Sequence, residues 1–422
     1  MMAASLQIPI SVPRSTFLGR NLVRAFLLVA ALALPIWHLH DMDRDFQLPL
    51  IHNDMIGRWL GTRAALHGQD PYSPQMTDQI QAIADHDTSE AFAYPASLVI
   101  VLAPLAIFSW KTFSVVYLLL IIPLLAIALW LCIRLLHLRI TPGYAALMVF
   151  VALCSWPSFW GLRMWQPTLL AIALIFIALY LLTRDHDMAA GILLALATFK
   201  PQIVLPLVLW LAVWACMRRR WSFLASLAVT VTLLLAGAER IVPGWFPHWI
   251  AALHTYQAKF GELPLEPILG HWLTLVVTAA LGGWAAWRLW QNRNCPADSP
   301  QFARSIALVL AATLFTSYVW NVYNQMLLFP GCVLLVCTKR PGGNGLPVVI
   351  YRIAQALLVW TFVSVPLGIV TEAIWHSRIV CDCLPFRNPL LPFLIALFLL
   401  MDTPRSEGRS SATSARMAAQ IT

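Results

Sequence analysis

Charge is scarce in this chain. Asp, Glu, Lys and Arg together make up 11% of its 422 residues, against 60% for hydrophobic types. A soluble domain of this length has no way to keep so much apolar surface from water, so that class is excluded. Cysteine gives no disulfide framework: Cys132, Cys154, Cys216, Cys332 and Cys337 sit in apolar runs, as small buried hydrophobes do. Cys381 and Cys383 flank Asp382 at a spacing too tight for a C-x2-C zinc knuckle. His248, His254 and His271 have no ligand spacing either, so no metal and no cofactor is expected. No repeat of fixed period is visible.

What the chain has instead is a series of greasy segments, at about 22–39, 94–110, 112–133, 143–161, 167–183, 188–216, 221–238, 268–290, 303–319, 322–337, 347–370 and 389–401. A membrane span needs about 20 apolar residues. The pattern therefore predicts an all-α polytopic membrane protein of about 11–13 transmembrane helices. It forms one domain over residues 1–402, followed by a disordered cytoplasmic tail at 403–422. Arg14, Arg20 and Arg24 precede the first run, which is long enough to stay as a span rather than be cleaved near Ala31-Leu32-Ala33. Two segments resist a simple count: 94–110 is short and carries Pro95 and Pro104, and 188–216 is interrupted at Lys200-Pro201.

The formal net charge of +9 does not point to nucleic acid, because the basic residues follow topology. Clusters such as Arg218-Arg219-Arg220 and Arg134 with Arg139 fall on the side of the N-terminus, as the positive-inside rule expects of the cytoplasmic face. The acids gather opposite, with Asp41, Asp43, Asp45, Asp54, Asp70, Asp78, Asp85, Asp87 and Glu90 in one stretch. Both termini are then cytoplasmic, and the outer loops are 41–92, 239–267 and 371–388. On this map 94–110 is re-entrant, and 188–216 is a broken pair that brings Lys200 to the outer side. A full span at 94–110 would flip the segments between.

The long first outer loop holds two candidate interfacial helices. From Met55 to Leu66, Met55, Ile56, Trp59, Leu60 and Ala64 share a side while Arg58 and Arg63 reach another. Asp54 starts this helix, where an acid is a favoured N-cap. A second short helix is expected from about Thr77 to Asp85.

Asp54, followed by Ala64-Ala65-Leu66-His67-Gly68-Gln69-Asp70-Pro71-Tyr72, resembles the first-loop signature of glycosyltransferase family 87, whose members use polyprenyl-phosphate sugars. Phe92-Ala93-Tyr94-Pro95 with Ala103-Pro104-Leu105, then Trp165-Gln166-Pro167-Thr168-Leu169-Leu170, then Ala189 to Pro201 ending in Lys200-Pro201, are similar to further motifs of that family in the same order. Ala96 stands where the family has a second proline, and Trp165 and Pro167 flank Gln166 where small and Asn-like residues are usual. The resemblance covers residues 20 to 215, and the rest by hydropathy alone. It implies a GT-C-like architecture with an outward-facing site, and an acid of the first loop acting as base.

Chemistry assigns the rest. A leaving group that is already a phosphate needs cations rather than a proton donor, and the acceptor hydroxyl needs one carboxylate. Asp54 is thus the candidate general base of an inverting transfer, or simply the cap of its helix. Lys200, Arg58, Arg63 and Arg163 are candidates for the donor phosphate, against snorkelling or lipid-headgroup pairing. Gln166, Tyr94, His67, Tyr72 and Tyr323 are candidates for substrate contact, with loop structure and an aromatic belt as the competing readings. The reaction so read moves a hexose or pentose, mannose by default, from a polyprenyl-phosphate carrier to a lipid or glycan acceptor at the outer face of the cell membrane. The alternative is a secondary transporter or carrier flippase, which also uses broken helices; no acid inside a span supports ion coupling.

Overall fold

Prolines and capping residues decide where helices begin in this chain. The computed structural model describes residues 54–83, 91–261, 263–317, 321–338, 345–375 and 390–401, and within them every regular element is helical. In chain order these are α1 (Asp54–Leu66), α2 (Pro74–Ile83), α3 (Ser97–Ala106), α4 (Trp110–Leu135), α5 (Pro142–Leu153), α6 (Trp156–Arg163), α7 (Pro167–Leu182), α8 (Asp187–Leu196) and α9 (Pro201–Met217). There follow α10 (Trp221–Ile241), α11 (Trp245–Phe260), α12 (Glu266–Leu269), α13 (His271–Gln291), α14 (Pro300–Thr316), α15 (Phe329–Cys337), α16 (Leu346–Trp375) and α17 (Leu390–Met401). Two 3-10 segments, Ala197–Phe199 and Val322–Leu328, interrupt the series. Proline occupies the first turn of α5, α7, α9 and α14, where its missing amide hydrogen costs no helical bond. Thr141 and Ser299 cap α5 and α14 through their hydroxyls, which accept from the Tyr144 and Phe302 amides.

The core lies around α7, in which 12 of the 16 residues from Pro167 to Leu182 are buried. A helix apolar all round belongs in such a position. Helix α4 packs along it, and α8 packs along both α7 and α10. Gly191 lets the backbones of α8 and α10 touch, since a Cβ there would run into the Phe223 carbonyl and the Ser226 hydroxyl. On the outside, Leu119, Leu233, Val276 and Trp272 are all more than 60% exposed. An apolar exterior of that kind suits lipid rather than water. The protein is an all-α polytopic membrane protein.

Several expected spans turn out to be built from pieces. Among the described residues α4 and α10 are long and apolar enough to cross alone, and the pair α5–α6, bent by 52°, makes a third if it is one span. The segment expected at 143–161 is that bent pair. It breaks because α5 ends at Cys154, and Ser155 with Pro157 starts a new helix. The segment expected at 322–337 is the seven-residue 3-10 run followed by α15, with Pro330 in the first turn of α15. The short stretch 94–110 yields only the ten residues of α3, and 188–216 is indeed broken at Lys200, between α8 and α9. Loop 239–267 is largely helix, in α11 and α12.

The two first-loop helices also differ from expectation. The second runs from Pro74 to Ile83 rather than from Thr77. The first, α1, packs against α3, and it buries Arg58, expected to reach outward, together with Met55, Ile56 and Thr62. Gly61 allows this, because a Cβ at that position would collide with the Phe92 ring. The first apolar run, the Cys381–Cys383 pair, most of loop 371–388 and the tail 403–422 lie outside the described residues.

Candidate functional site

Three helix N-termini meet where the polar residues collect. Asp54 opens α1, Gln166 precedes α7, and Lys200 precedes α9. Each N-terminus carries unsatisfied amide hydrogens and the positive end of a helix dipole. The turn that presents Gln166 is a Schellman cap on α6. The Gln166 amide donates to the Gly161 carbonyl at 2.8 Å and the Trp165 amide to Leu162 at 3.0 Å. Its left-handed position, usually glycine, is held here by Trp165 at φ 47°. The buried indole steadies it by donating to the Ser114 carbonyl at 3.2 Å. From behind, the Tyr117 hydroxyl donates to the Gln166 carbonyl at 2.8 Å.

In front of that turn the side chains interlock. The Gln166 amide nitrogen donates to the Asp54 carboxylate, and Arg58 donates to the Asp54 backbone carbonyl one turn back. Lys200 donates to the Thr168 hydroxyl in the first turn of α7. Its ammonium lies 4.8 Å from the centre of the Tyr323 ring and 5.8 Å from that of Tyr94, while the Arg58 guanidinium lies 5.2 Å from Tyr94. Such distances are those of cation–π contact. Lys200 is 2% exposed, Gln166 and Thr168 are fully buried, and Asp54 is half-buried at the rim. Asp54 and Arg58 both act electrostatically on Lys200, with opposite signs. Among the described residues the cluster sets Lys200, a buried cation in a helix break, beside Asp54 and Arg58 in a largely dry setting, where a cation favours an anion.

The structure brings Asp54, Arg58, Tyr94, Gln166, Lys200 and Tyr323 into this one cluster and puts the other candidates elsewhere. Arg63 points away from Arg58, over the Trp59 ring at 5.0 Å, and donates to the Phe108 carbonyl at 3.2 Å. Arg163 lies 5.7 Å from the Trp160 ring at the end of α6. His67 is exposed and meets its own helix at the Arg63 carbonyl, 2.7 Å away. Tyr72 acts through its neighbour: its hydroxyl donates to the Tyr94 carbonyl at 2.7 Å. Burial, helped by Asp70, pushes the Tyr72 phenol up, which keeps it a donor at any working pH.

Helix α11 completes the frame. Trp249 donates to the Ala93 carbonyl at 3.3 Å, and His248 pairs with Asp70 at 3.1 Å. Segment 92–95 is thus clamped from both sides. His271 pairs with Glu266 at 2.8 Å, and that hydrogen bond holds the Glu266 carboxyl below its usual range. Among the described residues no group of three or more His, Cys, Asp or Glu could hold a metal ion. Sequence reasoning assigned no role to Thr168, Tyr117 or Tyr256, which interacts electrostatically with Tyr94 and Tyr323. Thr168 did carry a signal, as a hydroxyl directly after the proline that opens an apolar helix. Tyr256 carried none.

Comparison with known proteins bears on this arrangement. No curated protein and no solved structure matches the chain. A family model does match, that of glycosyltransferase family 87, over residues 92–317. The match begins later than the motif resemblance and runs further, taking in α10 to α14, where no motif stood out. It contains Tyr94, Gln166, Thr168 and Lys200, whereas Asp54, Arg58 and Tyr323 lie beyond its ends. It covers more than half of the chain, and the chain belongs to glycosyltransferase family 87.

Proposed function

We propose that this glycosyltransferase moves a hexose or pentose, by default mannose, from a polyprenyl-phosphate carrier to a lipid or glycan acceptor. The observation that carries the reading is Lys200, a cation only 2% exposed in a helix break, at the N-terminus of α9 and beside that of α7. A buried cation is costly unless something anionic accompanies it, and a lipid-linked phosphate would supply that charge. Lys200 and Arg58 then hold the donor phosphate, aided by the amide groups that open α7 and α9.

The chemistry divides between the two ends of the cluster. The bond between the anomeric carbon and the phosphate oxygen breaks, and its electron pair stays on the phosphate, where the cations stabilise it. The acceptor oxygen attacks from the opposite face, and Asp54 takes its proton as the new glycosidic bond forms, with inversion. Tyr94 and Tyr323, whose rings flank Lys200, offer faces against which the sugar packs. The half-buried position of Asp54 suits a group that must meet an incoming acceptor. No metal or other cofactor is needed in this scheme. The distribution of basic residues supports an outward-facing site in a cell membrane with both termini cytoplasmic.

The test is transfer in membranes containing the full chain and supplied with radiolabelled polyprenyl-phosphate mannose, glucose or arabinose. Labelled product is expected from one of these with wild-type protein and not with Asp54→Asn. Equal transfer by the two would refute Asp54 as the base. Movement of the carrier across the membrane without any product would favour the flippase reading instead.

A further inference from the structure

We infer that Gln166 is a positioning residue for the base: its carboxamide fixes the Asp54 carboxylate with one end and meets the acceptor hydroxyl with the other. The inference rests on the reading of Asp54 as the base and deepens it. Three observations carry it. The Gln166 amide nitrogen donates to Asp54 Oδ2, so the carboxylate plane is set by a residue of a different helix. The backbone of Gln166 is in turn fixed by the Schellman turn at Trp165 and by the Tyr117 hydroxyl, which makes it a rigid support. Finally, Gln166 is fully buried, yet its Oε1 has no hydrogen-bond partner among the described residues.

A buried carbonyl without a donor is costly, and a native protein retains one where a ligand supplies the donor. The ligand here is a hydroxyl-bearing acceptor, since Oε1 belongs to the same carboxamide that grips the base. In the transfer step the acceptor O–H bond breaks and its proton goes to Asp54. The acceptor oxygen bonds to the anomeric carbon, and the phosphate leaves with the electrons of the old bond. Gln166 exchanges no proton. It holds an N–H on Asp54 throughout, which keeps the carboxylate aimed at the acceptor hydroxyl. Among the described residues, the other charged or titratable groups around the pair are Arg58, Lys200, Tyr94, Tyr256 and Tyr323. None of these changes in the variants below.

The experiment measures kcat and donor KM for transfer in membranes carrying the full chain, with whichever polyprenyl-phosphate mannose, glucose or arabinose the wild type uses. Gln166→Leu removes the donor, and Gln166→Glu sets a second carboxylate beside Asp54. Loss of positioning is expected to lower kcat by about 10- to 100-fold while the donor KM stays within about 2-fold. Both variants are expected to show this split between kcat and KM. A merely structural Gln166 would lower the amount of folded protein and leave kcat per folded protein unchanged. That result, with Asp54→Asn inactive, overturns the role of Gln166 alone. An active Asp54→Asn, or no transfer by the wild type from any of the three donors, overturns the reading beneath it.

Discussion

Asp54 and Lys200 belong to walls of unlike construction. Lys200 sits in a helix break at the heart of the bundle, 2% exposed, between aromatic rings and the Thr168 hydroxyl, within the span that matches the family. Asp54 sits half-buried at the head of a first-loop helix, before the matched span begins, and is held by Gln166. A dry wall suits a fixed phosphate, whose charge the protein must meet without help from water. A rim suits a base that receives acceptors from outside. On the proposed reading, the inner wall holds the donor and the outer wall meets the acceptor.

Substitutions can separate the walls by what each one changes. The largest effect is expected at Asp54: Asp54→Asn lowers kcat by about 1,000-fold with donor affinity retained, read from single-turnover transfer and binding of labelled donor. Lys200→Met comes next. It keeps the volume but removes the cation, and should lower kcat/KM by about 100-fold, chiefly through weaker donor binding. Arg58→Ala and Arg63→Ala sharpen the contrast within one helix. The former loses about 10-fold or more in transfer, since Arg58 contacts the Asp54 carbonyl and Tyr94. The latter stays within about 3-fold, because Arg63 lies over Trp59. Equal losses at the two arginines would dissolve the distinction between the faces of α1. The smallest effect is expected from Tyr72→Phe. It removes the bond to the Tyr94 carbonyl and lowers stability by about 1 kcal/mol, measurable as a lower midpoint in thermal unfolding in detergent.

The two walls were also unequally legible in the sequence. Lys200 showed itself because a cation next to proline has few reasons to interrupt an apolar run, and the break it marks between α8 and α9 is real. Tyr94-Pro95 and Gln166-Pro167 could be found in the same way, each as a polar or aromatic residue before a proline. Arg58 and Arg63 could not be told apart, because helix periodicity gives relative angles and not the direction of the core. Phe92 packed against Gly61 fixes that direction, and it is a contact between segments distant in sequence. Residues 322–337 read as one span because hydropathy does not distinguish seven residues of 3-10 helix from α-helix. Burial of Asn324 and Gln325 beside Tyr323 is a tertiary fact. Helix α11 was read as loop since its His, Lys and Gln residues hide the buried Trp245 and the Trp249 that bonds to the Ala93 carbonyl. Trp165 in a left-handed turn broke the usual glycine rule and left no local sign of the cap it forms.

The division of labour between the walls is tested most directly by Asp54→Asn and Lys200→Met side by side. Retention of radiolabelled polyprenyl-phosphate sugar and its transfer to acceptor would be measured on the same membranes. The expected result is that Asp54→Asn retains donor without transferring it, whereas Lys200→Met fails to retain it. Transfer by Asp54→Asn at the wild-type rate, or undiminished donor retention by Lys200→Met, would contradict the assignment of base and phosphate clamp to these two residues.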